Sequence, residues 1–225
     1  MKKVVLLSGG VDSSTCLAVA LKNTKPEDVL AVNMFYGQRH LKEIQSARMV
    51  ASHYGVELME MDLSMIFSRS ECSLLEKSGN PVPEGSYADQ QRENPNKPVS
   101  TYVPFRNGLM LAAAASIAVS IGAEVVFFGA HADDSAGEAY PDCSPEFVRS
   151  INDAVYLGTA GQVNIIAPFV NSTKADVVRA GLELGVPYHL TWSCYKGGDK
   201  PCGVCGTCID RARAFEINGA VDPAL

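Results

Sequence analysis

Apolar, β-branched runs alternate with helical patterns along most of the chain. Residues 3–7, 29–35, 56–61, 124–129 and 163–168 read as strands. Helical patterns fall over 13–22, 41–54, 106–121, 145–157 and 173–184. The strands show little polar alternation, the signature of a parallel sheet covered on both faces. The predicted architecture is therefore α/β, a doubly wound parallel sheet. Two segments break the rhythm. Residues 64–102 are polar and carry Pro81, Pro83, Pro95 and Pro98. A connection that long is expected to be functional or mobile. Residues 192–225 hold a cysteine cluster and a short helical pattern over 205–217. The division expected is 1–190 for the α/β domain and 191–225 for a C-terminal metal-binding appendage.

The apolar stretch 108–130 is long enough to imitate a membrane span. It contains Glu124, and its texture changes from an Ala-rich helix to the β-like Val125–Phe128. A helix feeding a buried strand is expected, and no membrane segment. The start, Met1-Lys2-Lys3 with four apolar residues before Ser8-Gly9-Gly10, is too short for a secretory leader. With 47% hydrophobic and 20% charged residues over 225 positions, disorder and a small disulfide scaffold are excluded. A formal charge of -6 and no basic run argue against direct nucleic-acid binding.

The most informative segment is Leu6-Leu7-Ser8-Gly9-Gly10-Val11-Asp12-Ser13-Ser14, where the first strand passes into the first helix. Ligands of open parallel sheets sit at the carboxyl ends of strands, where helix N-termini offer unpaired N–H groups to an anion. Two glycines, three hydroxyls and Asp12 coincide there, with Asp12 placed to hold water or Mg²⁺. The plain alternative is a tight turn with a helix cap. The loop has no Walker lysine and does not match Gly-x-Gly-x-x-Gly.

Seven cysteines occur, at 16, 72, 143, 194, 202, 205 and 208. The spacing Cys194-x7-Cys202-x2-Cys205-x2-Cys208 suits one structural Zn²⁺, with an iron–sulfur cluster as the alternative. An odd count with four clustered points to a reducing, cytoplasmic setting. Gly203 and Gly206 are expected to permit the turns between ligands. Cys16, Cys72 and Cys143 are expected to be structural.

Ser8-Gly9-Gly10-Val11-Asp12-Ser13 resembles the pyrophosphate loop of the ATP pyrophosphatases, which have a Rossmann-like adenine nucleotide α hydrolase fold. Tyr36-Gly37-Gln38-Arg39-His40, Val103-Pro104-Phe105-Arg106-Asn107, Tyr140-Pro141-Asp142-Cys143 and the four-cysteine tail narrow the likeness. In that order they resemble the 7-cyano-7-deazaguanine synthase family, from about residue 3 to 215. The stretch from Asp133 to Tyr140 is longer than the compact bacterial form and looks archaeal.

The resemblance implies a carbon–nitrogen ligase that uses ATP to turn 7-carboxy-7-deazaguanine and ammonia into the nitrile, for queuosine or archaeosine. An acyl-adenylate, an amide and a second activation are implied along the way. The implied nucleotide stretch is Leu7, Ser8, Gly9, Gly10, Val11, Asp12, Ser13, Ser14, Thr15, Cys16 and Leu17. Asp12, Lys174 and Arg106 are the candidate catalytic residues. Lys174, at a helix start, is a candidate to neutralise phosphate, or else a surface lysine. Arg39 or Arg106 is a candidate clamp for the substrate carboxylate. Tyr36 and Phe105 are candidates to stack on the deazapurine, and His131 and Asp133 to bind base edges or Mg²⁺. Cys194, Cys202, Cys205 and Cys208 are the zinc ligands. No glutaminase-like segment fits in the remaining length, so ammonia is expected from solution or a partner. Apolar helix faces suggest a homodimer. A thiolase-like tRNA adenylase, or a paralogue with another acceptor, is the alternative reading.

Overall fold

The computed structural model describes residues 1–93, 95 and 97–224. Five parallel strands form one sheet in the order β3–β2–β1–β4–β5. They are β1 (Lys2–Leu6), β2 (Val29–Phe35), β3 (Glu57–Asp62), β4 (Ala123–Phe127) and β5 (Asn164–Ile166). Helix α1 (Val11–Leu21) carries the chain from β1 to β2, and α2 (Lys42–Tyr54) from β2 to β3. A long segment holding α3 (Tyr87–Glu93) then leads into α4 (Arg106–Ile121) and back to β4. After β4 come the short α5 (Ala132–Ser135), α6 (Pro145–Gly158), β5, α7 (Lys174–Glu183) and α8 (Gly206–Ile217). The doubly wound α/β architecture is as expected.

Successive side chains of a strand point to opposite faces, so a strand buried on both faces needs apolar residues at every position. Val4 joins Leu111, Ala114, Ala115 and Ala118 of α4 on one face, with Val148 and Val155 of α6. Val5 joins Cys16, Leu17 and Ala20 of α1 and Ala47, Val50 and Ala51 of α2 on the other. Each buried Val or Leu contributes about 1.5–3 kcal/mol. Alanines at the contact let α4 approach the sheet closely. A third cluster packs Val11 and Ala18 of α1 against Val177 and Val178 of α7 and Phe215 of α8. That cluster ties the C-terminal helix to the body.

Helix ends follow local chemistry. Ser144 caps α6 by accepting from Phe147 N at 3.1 Å, with Pro145 in the first turn. Thr173 and Asp176 form a reciprocal capping box that starts α7 at Lys174. Among the described residues, no helix is long and apolar enough to cross a membrane.

The segment 64–102 is not a bare loop. Phe67, Cys72, Leu74 and Leu75 are buried against Tyr36 and Val103. Strand order reverses at β1, where neighbours β2 and β4 are entered by connections running to opposite sides. The loops after β1 and β4 therefore open onto one crevice, the expected ligand position of such a sheet.

Candidate active site

The crevice at the carboxyl ends of β1, β2 and β4 is a cleft with about 1310 Å³ of empty space, its open mouth included. The loop after β1 forms one end. Gly9 has φ +91°, and a Cβ there would fall 2.3 Å from the Glu43 carbonyl oxygen and 2.5 Å from Ala47 N. No other residue fits so close to α2. Gly10 caps α1 with ordinary extended φ and no side-chain cap bond, leaving the first helical N–H groups toward the cleft. Ser8 Oγ and Ser13 Oγ pair at 2.9 Å beside them. A Cβ on Gly129 would fall 3.0 Å from the Asp12 carbonyl carbon, so glycine lets β4 end against the first turn of α1.

Asp12 is the electrostatic hub. Its Oδ2 accepts from Lys174 Nζ at 2.5 Å, and its Oδ1 lies 3.7 Å from His131 Nε2. Burial pushes its carboxyl up, but the Lys174 ammonium, His131 and hydrogen bonding together hold it below the ordinary range. Asp12 Oδ1 is buried without a hydrogen-bond partner, as is His131 Nδ1. Lys174 sits 162 residues away in sequence. It reaches Asp12 because the capping box fixes the start of α7 and Asp133 Oδ2 accepts its backbone N–H at 2.7 Å.

The far end of the cleft is aromatic and basic. The Arg106 guanidinium lies 4.9 Å from the centre of the buried Tyr36 ring. Among the described residues it forms no ion pair with a carboxylate. Asp142 accepts from Asn107 N at 2.9 Å, which clamps 103–107 to 140–143 and orients the start of α4. Tyr87, Tyr140 and Tyr195 close this end. Between the ends stands Glu43, whose carboxyl burial pushes up to about 7 against the pull of Arg106.

The structure brings Ser8, Gly10, Asp12, Ser13, Tyr36, Arg106, His131 and Lys174 to one cleft, with Leu7. Other sequence candidates lie outside the cleft lining. Val11 packs against α7, Ser14 is fully buried, and Cys16 and Leu17 lie in the core. Thr15 bonds Val11 O and Tyr188 OH, both at 2.8 Å, because it faces α7. The Arg39 side chain turns to Ser73 O at 2.7 Å and to Asn80 O, where it anchors the 64–102 segment. Phe105, at φ 54°, is 58% exposed and packs on Gly108 and Phe147. Asp133 is exposed and holds the α7 N-terminus, while its neighbour Asp134 lines the cleft, 3.3 Å from His131 Nε2. Sequence reasoning also missed Glu43, Tyr87, Tyr195, Thr207 and Asp210. Glu43 and Asp210 lay in helical patterns whose inward face was not assigned, and nothing local marked the two tyrosines.

Cys194, Cys202, Cys205 and Cys208 bring their sulfurs within 4.8 Å of one another, the donor set of a structural metal site. Hydrogen bonds from Cys205 and Cys208 pull the Cys194 thiol far below its ordinary range. Gly203, at φ +73°, makes the expected turn. Gly206 does not. It opens α8, and its missing Cβ leaves room for the Tyr87 ring. Cys16, Cys72 and Cys143 are buried.

A family model described as queuosine biosynthesis protein QueC matches residues 2–219. The chain is 46% identical to a 7-cyano-7-deazaguanine synthase of Archaeoglobus fulgidus, over all of this chain and 90% of that protein. It is 46% identical to the enzyme of that name from Methanoculleus marisnigri, over 99% and 98%. With that of Caldicellulosiruptor bescii it shares 42% over 99% and 96%. An NMN synthetase structure from Francisella tularensis superposes with a TM-score of 0.53 at 16% identity, over 98% of this chain and 78% of that one. That likeness speaks for the fold alone. The relatives named do not favour the tRNA-adenylase alternative.

Proposed function

Because the chain belongs to the QueC family of queuosine biosynthesis proteins, we infer that it is a carbon–nitrogen ligase forming 7-cyano-7-deazaguanine. Its substrates on this reading are 7-carboxy-7-deazaguanine, ammonia and ATP. The observation that carries the reading is one cleft with two chemically distinct ends, a helix N-terminus beside the Asp12–Lys174 pair and the Arg106 guanidinium beside Tyr36.

A carboxylate oxygen is a poor leaving group, and transfer to an adenylate makes it a good one. The protein's task is to align the two substrates and stabilise charge on the phosphates. The N–H groups of residues 10–13 and the Ser8 and Ser13 hydroxyls hold the phosphates. Lys174 neutralises charge there. The free, buried Asp12 Oδ1 suits a Mg²⁺ carried by the nucleotide, with His131 and Asp134 behind it. Arg106 offers two parallel N–H donors to the substrate carboxylate, and Tyr36 lies under the same guanidinium. Glu43, near neutrality in its proton affinity, is suited to take the proton that ammonia loses.

The four cysteines fit a structural Zn²⁺ that would hold residues 191–225 onto the nucleotide-binding body of 1–190. Free cysteines throughout support a cytoplasmic enzyme. Exposed Tyr156 and Leu157 on α6 support a homodimer. The charge of -6 supports action on the free base, ahead of tRNA in the queuosine or archaeosine route.

Mass spectrometry of products from ATP, ammonia and the carboxylated deazapurine is the test. The nitrile and pyrophosphate are expected without any tRNA, and their absence would refute the assignment.

A further inference from the structure

The segment 64–102 and the four-cysteine loop at 194–208 lie far apart in sequence, yet they are fastened together beside the cleft that both help to line. Gly85 N donates to Val204 O at 3.0 Å, and Glu84 pairs with Cys205 as an isolated antiparallel bridge. Lys196 Nζ meets Glu84 Oε1 at 2.6 Å. Val82 packs against the cysteine cluster. The Tyr87 hydroxyl lies 2.9 Å from that of Tyr195, the residue after Cys194. Both tyrosines line the cleft at its Arg106 end.

Helix α3 has seven residues, too few to be stable alone in water. The position of Tyr87 at its first residue is therefore set by docking. The docking surface is the four-cysteine loop and the start of α8: a Cβ on Gly206 would fall 2.9 Å from the Tyr87 ring. In a pair of phenols one donates and the other accepts, and the acceptor keeps its own O–H to donate elsewhere. The Tyr140 hydroxyl, 2.6 Å from Thr101 Oγ1, shares this cluster, and with Thr101 donating to it the three phenols leave one O–H to meet an oxygen of a base that enters beside Arg106.

We propose that Tyr87 selects the deazapurine, and that the four-cysteine loop is the element that positions it. This rests on the function inferred above. On this assignment the metal-binding tail does more than add stability. It sets the affinity of the substrate end while the phosphate end is held by the first strand and helix.

The test is isothermal titration of 7-carboxy-7-deazaguanine and, separately, of a non-hydrolysable ATP analogue with Mg²⁺, on zinc-loaded full-length protein. Tyr87→Phe is expected to weaken deazapurine binding about tenfold, the scale of one hydrogen bond in a desolvated site. Affinity for the nucleotide stays within twofold. Gly206→Ala, which keeps every cysteine but crowds the ring, is expected to show the same selective loss at unchanged zinc content. Under turnover both variants raise KM for the deazapurine and leave KM for ATP. Unchanged deazapurine affinity in Tyr87→Phe, or equal weakening of both ligands, overturns the selection role. Full affinity in Gly206→Ala overturns the positioning role. Failure of the unsubstituted protein to bind the deazapurine defeats the inferred function and this proposal with it.

Discussion

Arg106 offers a sharp quantitative test of the substrate geometry, because the inferred reaction passes from a charged acid to a neutral amide in one cleft. The guanidinium stands 4.9 Å from the Tyr36 ring centre, and among the described residues no carboxylate forms an ion pair with it. On the proposed function, the partner that completes it is the substrate's own carboxylate. A hydrogen bond to a charged group contributes about 1.5–3 kcal/mol. For a two-pronged contact in a partly desolvated cleft, ~3 kcal/mol is a conservative sum. At 1.4 kcal/mol per factor of ten, Arg106→Met should lower kcat/KM for the acid by roughly a hundredfold. The amide carries no charge, so conversion of supplied amide to nitrile should fall by less than about tenfold, the scale of a neutral contact. The assay follows amide and nitrile by mass spectrometry in parallel reactions started from acid or from amide, with saturating ATP. Equal losses in the two reactions would show that Arg106 does not read the carboxylate.

Three further outcomes are expected. Asp12→Ala should abolish pyrophosphate release while the circular dichroism spectrum stays that of the parent, and retained turnover would remove Asp12 from the phosphate end. Cys205→Ser, or chelation, should lower the melting temperature by at least ~5 °C, given about 2–4 °C per kcal/mol for a chain of this size; an unchanged melt would remove the structural-metal claim. Burial raises the Glu43 carboxyl to about 7, so its contribution to stability is complete below the unfolded value near 4.3 and is lost as pH rises through 7. Glu43→Gln should therefore match the parent's melting temperature at pH 4 and exceed it at pH 8, and a pH-independent difference would contradict a buried, protonated Glu43.

Much of this molecule is legible from residue order. The strand 29–35 and the helix 106–121 match Val29–Phe35 and Arg106–Ile121, because each carries its own periodicity and its own stop signal in Phe35-Tyr36-Gly37 or Gly122. The loop from Ser8 to Ser13 and the four cysteines are equally local, since a few neighbouring residues bring their atoms together. Gly9 was readable as a forced glycine, although α2 as the cause of that constraint was not.

What residue order leaves open is which side chain of a readable element turns inward. His131, Asp133 and Asp134 are adjacent, and a rotation of one residue decides that Asp134 lines the cleft while Asp133 holds Lys174 in place. Arg39 and Arg106 look alike in sequence, yet one fastens the 64–102 segment and the other lines the cleft beside Tyr36. Tyr87 and Tyr195 carry no local signal and meet only because the 64–102 segment docks on the four-cysteine loop. Local periodicity is set by hydrogen bonds and burial within one element, so the sequence alone determines it. Facing and docking depend on sums of contacts between elements distant in the chain, and tertiary packing alone settles those.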